Sequence, residues 1–212
     1  MIHKVSVFLK EDVSSSVLLL ICCLLFIFIL PALEMHSDVY SIFLFAVIML
    51  LAASVISKRA IMVGLGAVLI EVSTRATDFI YLHYLAEITS NLFIIFIVAS
   101  VIRHLMKQKK VTVYSLIDAV NGYLLLGMMF ISLVAFCEVY IPGSYNASGN
   151  SEMEFIYYTM ITLTTAGYGD ITPKLPAAQS LAMFIAVTGQ FYVAVIVAIL
   201  VGKYASVQSA SE

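Results

Sequence analysis

The chemistry in this sequence is concentrated in seven residues, Thr164-Thr165-Ala166-Gly167-Tyr168-Gly169-Asp170, set between two apolar runs. Two glycines flanking one tyrosine open backbone dihedrals that are closed to other residues, so consecutive carbonyls can point the same way. A row of aligned carbonyl oxygens is a cation ligand. Elsewhere the chain offers no nucleophile paired with a base, no phosphate-binding glycine loop and no metal cluster, which argues against an enzyme and against a bound cofactor. Cys22, Cys23 and Cys137 are isolated thiols in or near apolar runs, without metal-ligand spacing or a disulfide framework, and they read as small hydrophobes. No basic face is present to hold a nucleic acid.

The elements that must position this stretch are membrane helices. Of the 212 residues, 62% are hydrophobic and only 11% are charged, which takes the chain outside the soluble range. Val17 to Leu33 is an unbroken apolar run; Pro31-Ala32-Leu33-Glu34-Met35 is no cleavage site, so the run is a first spanning helix rather than a signal peptide. Val39 to Ser57 forms a second span, and Ala60 to about Thr77 a weaker third that holds Glu71 and Arg75. The fourth runs from Phe79 to about Leu105, and the fifth from Val113 to Tyr140, interrupted near its start by Asp118, Asn121 and Gly122. Met153 to Thr164, at about 12 residues, falls short of the ~20 a span needs and reads as a re-entrant half-helix. Pro176 sits at a helix start, and Ala177 to about Tyr204 is the last span.

Charge placement gives this arrangement a direction. With the amino terminus inside, Lys4, Lys10, Lys58, Arg59, Arg103, Lys107, Lys109, Lys110 and Lys203 fall on the inner side, and Arg75 and Lys174 outside, as the positive-inside rule requires. Glu34, Asp38, Glu71, Asp78, Glu138, Glu152, Glu154 and Asp170 lie on the outer side, where Glu152, Glu154 and Asp170 would concentrate cations before the glycine motif. Asn146-Ala147-Ser148 on that side fits a glycosylation sequon.

The re-entrant helix, TLTTAGYGD, the proline two residues after Ile171 and the inner helix TGQFYVAVIVAILVG resemble the pore module of tetrameric potassium channels. The order of helices resembles the six-helix branch of that family. The likeness is specific over the last quarter of the chain and topological before it. It implies an all-α membrane protein with six transmembrane helices, a re-entrant pore helix and a filter loop. Residues 1–110 would then be a four-helix sensor-like domain and 111–212 the pore domain.

By this resemblance the carbonyls of Thr165, Ala166, Gly167 and Tyr168, with the Thr165 hydroxyl at the inner end, line the path of K+, the permeant ion. Gly169 and Asp170 close its outer end. Thr164, Tyr157 and Tyr158 support the filter, with Tyr157 a candidate partner for Asp170 and membrane-interface anchoring the other role open to both tyrosines. Each chain supplies a quarter of every carbonyl ring, so the expected partners are three further copies of itself and the lipid bilayer. Gly189, 19 residues after Asp170, stands where the inner helix bends to gate, although close helix packing asks for a small residue equally. The expected location is a cell membrane, a bacterial inner one on the chain's compactness, with both termini cytoplasmic.

Three features depart from the family pattern or qualify it. Ala166 replaces the usual valine, removing two methyl groups behind the filter, and Ile161 stands where some relatives place an acid that pairs with the filter-end aspartate. Both predict a less rigid filter, which leaves a non-selective cation pore as the alternative, beside a non-conducting regulatory subunit or a transporter subunit. Phe79 to Ile102 holds no Arg or Lys, so opening should depend only weakly on voltage. In place of gating charges that helix carries His83, Glu87 and Asn91 at a spacing of four, on one face, as polar glue between helices or a proton sensor.

Overall fold

A computed structural model describes residues 15–29, 46–52, 80–107, 112–147 and 152–209, with scattered helical positions between 62 and 69. The elements are α1 (Ser15–Ile29), α2 (Ile80–Lys107), α3 (Val113–Tyr140), α4 (Glu152–Leu163) and α5 (Pro176–Ser209). Among the described residues the protein is helical with no strand. The backbone falls into two compact units, Met1–Gly122 and Tyr123–Glu212.

In the first unit, α1 buries Leu19, Cys22, Cys23, Phe26 and Ile27 and exposes Leu18, Ile21, Leu24 and Phe28, a helical stripe at a spacing of three and four. Its last turn, Leu25–Ile29, widens into a π-helix. The second half of α2 repeats the pattern, with Ser90, Asn91, Phe93, Ile94, Ile97 and Val98 buried and Leu92, Ile95 and Phe96 exposed. Thr112 and Ser115 start α3 with a reciprocal cap: the Ser115 amide donates to Thr112 Oγ1 and the Thr112 amide to Ser115 Oγ. The helix then runs unbroken through Asp118, Asn121 and Gly122, where the sequence had suggested an interruption. Asn121 is buried inside the unit, its Nδ2 donating to the Ser16 carbonyl at 2.9 Å. Of the expected spans, the second and third fall outside the described residues apart from 46–52 and the scattered positions, as do Glu71, Arg75 and Asp78; the side chains of His83 and Glu87 lie outside them too.

The second unit contains the rest of α3 with α4 and α5. Phe130 of α3 meets Phe184 of α5 edge to face at 5.7 Å, Tyr123 lies 5.6 Å from Tyr192, and α4 packs on α5. The sequence expectation for α4 is one residue late at each end. Pro176 opens α5 as expected, and the helix continues five residues beyond Tyr204 because neither Gly nor Pro stands in 205–209 to stop it. Among the described helices, Val113–Tyr140 and Pro176–Lys203 are long and apolar enough to cross a bilayer, at 28 residues each. They differ in cover: the apolar stretch of α3 is mostly buried and that of α5 mostly bare. An apolar helix left that bare belongs in lipid or against other copies, and the molecule is a membrane protein.

Candidate functional site

At only 12 residues, α4 ends inside the unit, and the glycine motif begins where its helical hydrogen bonds run out. The last carbonyls of a helix have no intrahelical donors. Here the chain that follows turns back to supply them. The Thr164 amide donates to the Met160 carbonyl at 3.0 Å and the Thr165 amide to Thr162 at 3.0 Å. The Ala166 and Gly167 amides both donate to the Ile161 carbonyl, at 2.9 and 3.1 Å. The Thr164 hydroxyl adds a bond to Met160 O at 2.8 Å. Four successive N–H groups are thus drawn to the helix end.

The dihedrals complete this arrangement. Thr165, Gly167 and Gly169 have φ of 60°, 51° and 81°, so left-handed residues alternate with Ala166 and Tyr168 between them. Alternation of hand along a strand turns successive carbonyls to a common side, where a pleated strand would alternate them. Glycine takes these values freely, which explains Gly167 and Gly169. Thr165 is β-branched and is the one non-glycine residue with positive φ among the described residues. Such a conformation costs of order 1–3 kcal/mol and persists only where surroundings over-determine it.

Two sets of contacts hold the outer end. The Tyr157 hydroxyl donates to Asp170 Oδ2 at 2.6 Å, and the Ile171 amide donates to Asp170 Oδ1 at 3.0 Å. The Tyr157 bond holds the Asp170 carboxyl below its usual range, and the same bond is the main reason that the Tyr157 phenol is pushed up to about 12. The second set is a clamp on residues 172–174. The Asn146 amide donates to the Thr172 carbonyl, the Thr172 amide to Asn146 Oδ1 and the Lys174 amide to the Ser144 carbonyl, and Tyr145 bridges to Pro173. Glu138, buried at the end of α3, fixes that loop by accepting from the Gly143 amide at 2.8 Å and the Tyr145 amide at 3.1 Å. Tyr145 is buried in turn, 5.0 Å from the ring of Tyr158, and burial raises its phenol pKa.

At the inner end, Gln190 Nε2 of α5 donates to Thr165 Oγ1 at 3.1 Å. Its neighbour Gly189 lies against the last carbonyl of α4: a Cβ there would stand 2.2 Å from Leu163 O. The Tyr123 hydroxyl reaches the same carbonyl at 3.3 Å.

The structure therefore brings together Thr164 to Asp170 with Tyr157, and places Tyr158 one layer behind, buried against Tyr145. Gly189 sits at the junction of α4 and α5. Sequence reasoning missed Gln190, whose signal was an amide in an otherwise apolar run. It placed Glu138 only on a side of the membrane, and read Asn146 as a sequon rather than as a clamp.

Residues 122–205 match the model of an ion channel family. The chain is 53% identical over 38 residues to potassium channel K1 of Plasmodium berghei, covering 18% of this chain and 2% of that protein. It is 38% identical over 60 residues to a hyperpolarization-activated voltage-gated potassium channel of Methanocaldococcus jannaschii, covering 28% of this chain and 29% of that one. These alignments thus span under a third of either relative's length. No solved structure matches the chain. The match begins at Gly122, beside the boundary of the second unit, and takes in every contact described around the motif. The matched family and both relatives are channels.

Proposed function

We propose that the chain is one subunit of a homotetrameric potassium channel that passes K+ down its gradient. The observation that carries this reading is the alternation of left-handed residues at 165, 167 and 169 with their amides drawn onto the end of α4, which leaves the carbonyl side of the strand for a cation. Thr165, Ala166, Gly167 and Tyr168 supply carbonyl ligands to K+, with the Thr165 hydroxyl at the inner end, and Gly169 and Asp170 close the outer end. Rings of such oxygens replace the hydration shell of the ion. Four copies are needed because one strand offers only one side of each ring. No resident cofactor is required, K+ being the cargo.

Tyr157 and Tyr158 brace the filter from α4, and Gly189 is the place where α5 bends to gate. The segments before residue 111 form a sensor-like bundle without gating charges, so opening depends weakly on voltage. The distribution of basic residues supports a cytoplasmic side for both termini, in a cell membrane. Reversal potentials of the reconstituted full chain in K+ against Na+ test the central claim. A reversal potential that follows the K+ gradient supports it. One that ignores exchange of K+ for Na+ identifies a non-selective cation pore, and absence of current in any salt removes the channel reading altogether.

A further inference from the structure

Thr165 combines two properties that do not coexist unaided: a β-branched side chain and a left-handed backbone, φ 60°. Its hydroxyl is also the side-chain ligand assigned to the inner end of the filter. What touches that side chain is Gln190, whose Nε2 donates to Oγ1 at 3.1 Å across 25 positions of sequence. The contact depends on Gly189 beside it, because only a residue without a Cβ lets α5 approach the Leu163 carbonyl so closely. Glycine brings the helix in, and the next side chain reaches the strand.

We propose that Gln190 is a positioning residue for the innermost cation site, orienting the Thr165 hydroxyl oxygen toward the ion and holding the left-handed turn on which the first carbonyl depends. The proposal rests on residues 165–168 being a cation filter. A hydroxyl oxygen has two lone pairs and one proton. With the Gln190 amide on one lone pair, the second remains for the cation, and rotation about Cα–Cβ is restrained by a bond to another helix. Without Gln190 the hydroxyl is free to turn to a nearby carbonyl, as the Thr164 hydroxyl already does toward Met160. The inner site would then lose an oxygen ligand in each subunit, while the carbonyl rings further out keep theirs.

The test is block of K+ current by internal Ba2+, a divalent ion of nearly the radius of K+, in the reconstituted full chain. Gln190→Met keeps the length of the side chain and removes its hydrogen bond. It should raise the half-blocking Ba2+ concentration at least about fivefold, the size of one net hydrogen bond, because all four subunits lose the contact. In a Thr165→Val background, with the hydroxyl gone, the same change should do nothing. Equal effects in both backgrounds, or none in either, overturn the proposal. If Gln190→Met does not assemble, Gln190→Glu decides: its carboxylate accepts from the hydroxyl, leaving both lone pairs for the ion, so block should tighten more with Thr165 than with Val. Equal tightening would be a charge effect alone and would overturn the idea. Failure of the filter reading itself is visible beforehand, as absence of K+ current in the unsubstituted protein.

Discussion

At the scale of single residues, the Tyr157–Asp170 pair makes a pH prediction with a definite sign. Asp170 has its pKa lowered from the ordinary 3.8 by the Tyr157 bond, so the contribution of that carboxylate is complete above 3.8 and is lost only as pH falls below it. Tyr157 is raised from 10.0 to about 12, so its donor proton stays in place below pH 10 and is lost as pH rises toward 12. The brace should therefore be insensitive to pH from about 5 to 9. Tyr157→Phe removes the donor and lets the Asp170 pKa rise toward its ordinary value, moving acid inactivation of the current to higher pH. A titration with the same acid midpoint in both proteins would show that the contact does not hold the filter. Ala166 makes the second prediction. Valine there adds two methyl groups, each worth about 0.8 kcal/mol where it is buried. Ala166→Val should raise K+ over Na+ permeability and slow the decay of open current, both readable in one recording.

At the scale of elements, the junction of α4 with α5 and the loop after α3 anchor the two ends of the motif. Gly189→Ala drives a Cβ into the backbone oxygen of Leu163, a clash that a side chain cannot relieve by rotating. Overpacking of this kind costs about 1–3 kcal/mol, and the melting temperature of the assembled protein should fall accordingly. If the melting temperature holds while gating changes, the glycine serves bending and not packing. Glu138→Gln keeps the shape but turns one of the two acceptor oxygens into a donor, so one of the amide bonds that fix the loop is lost and the other is no longer made to a charge, a loss of about 1–3 kcal/mol by the same measurement. The sequence shows some of this directly and some not at all. A 12-residue apolar run ahead of Gly167-Tyr168-Gly169 is a local signal, and α4 stands within one residue of where it was expected. The Gln190 bond to Thr165 is not local. It exists because a short helix, a turn and α5 bring residues 25 apart together, and no periodicity encodes that distance. Glu138 is hidden for another reason: charge counting gives an acid its side of a membrane, but its acceptors' use depends on how Pro142-Gly143 turns.

At the scale of the whole molecule, what stands out is how little of α5 is covered. Met183, Phe184, Val187, Phe191 and Val201 are each more than half exposed, and so is Tyr168 of the motif. A glycine-motif strand and an apolar helix bare on the same unit fit the proposed assembly around an axis, and the expected mass of the detergent-solubilised protein is that of four chains. A monomer by light scattering would contradict this. The absence of Arg and Lys from Phe79 to Ile102 predicts a shallow conductance–voltage relation, and a steep one would locate gating charge elsewhere.

The way the motif is tied to α4 also makes it a clock. The amides of Thr164, Thr165, Ala166 and Gly167 sit in residues exposed on the single chain, yet each is engaged by a carbonyl of residues 160–162. Their deuterium uptake is therefore governed by how often the last turn of α4 opens, not by contact with water. A peptide covering these residues should label slowly and as one cooperative group. Any ligand, lipid or substitution that loosens the motif would be read there as a change in exchange rate, without a current having to be recorded.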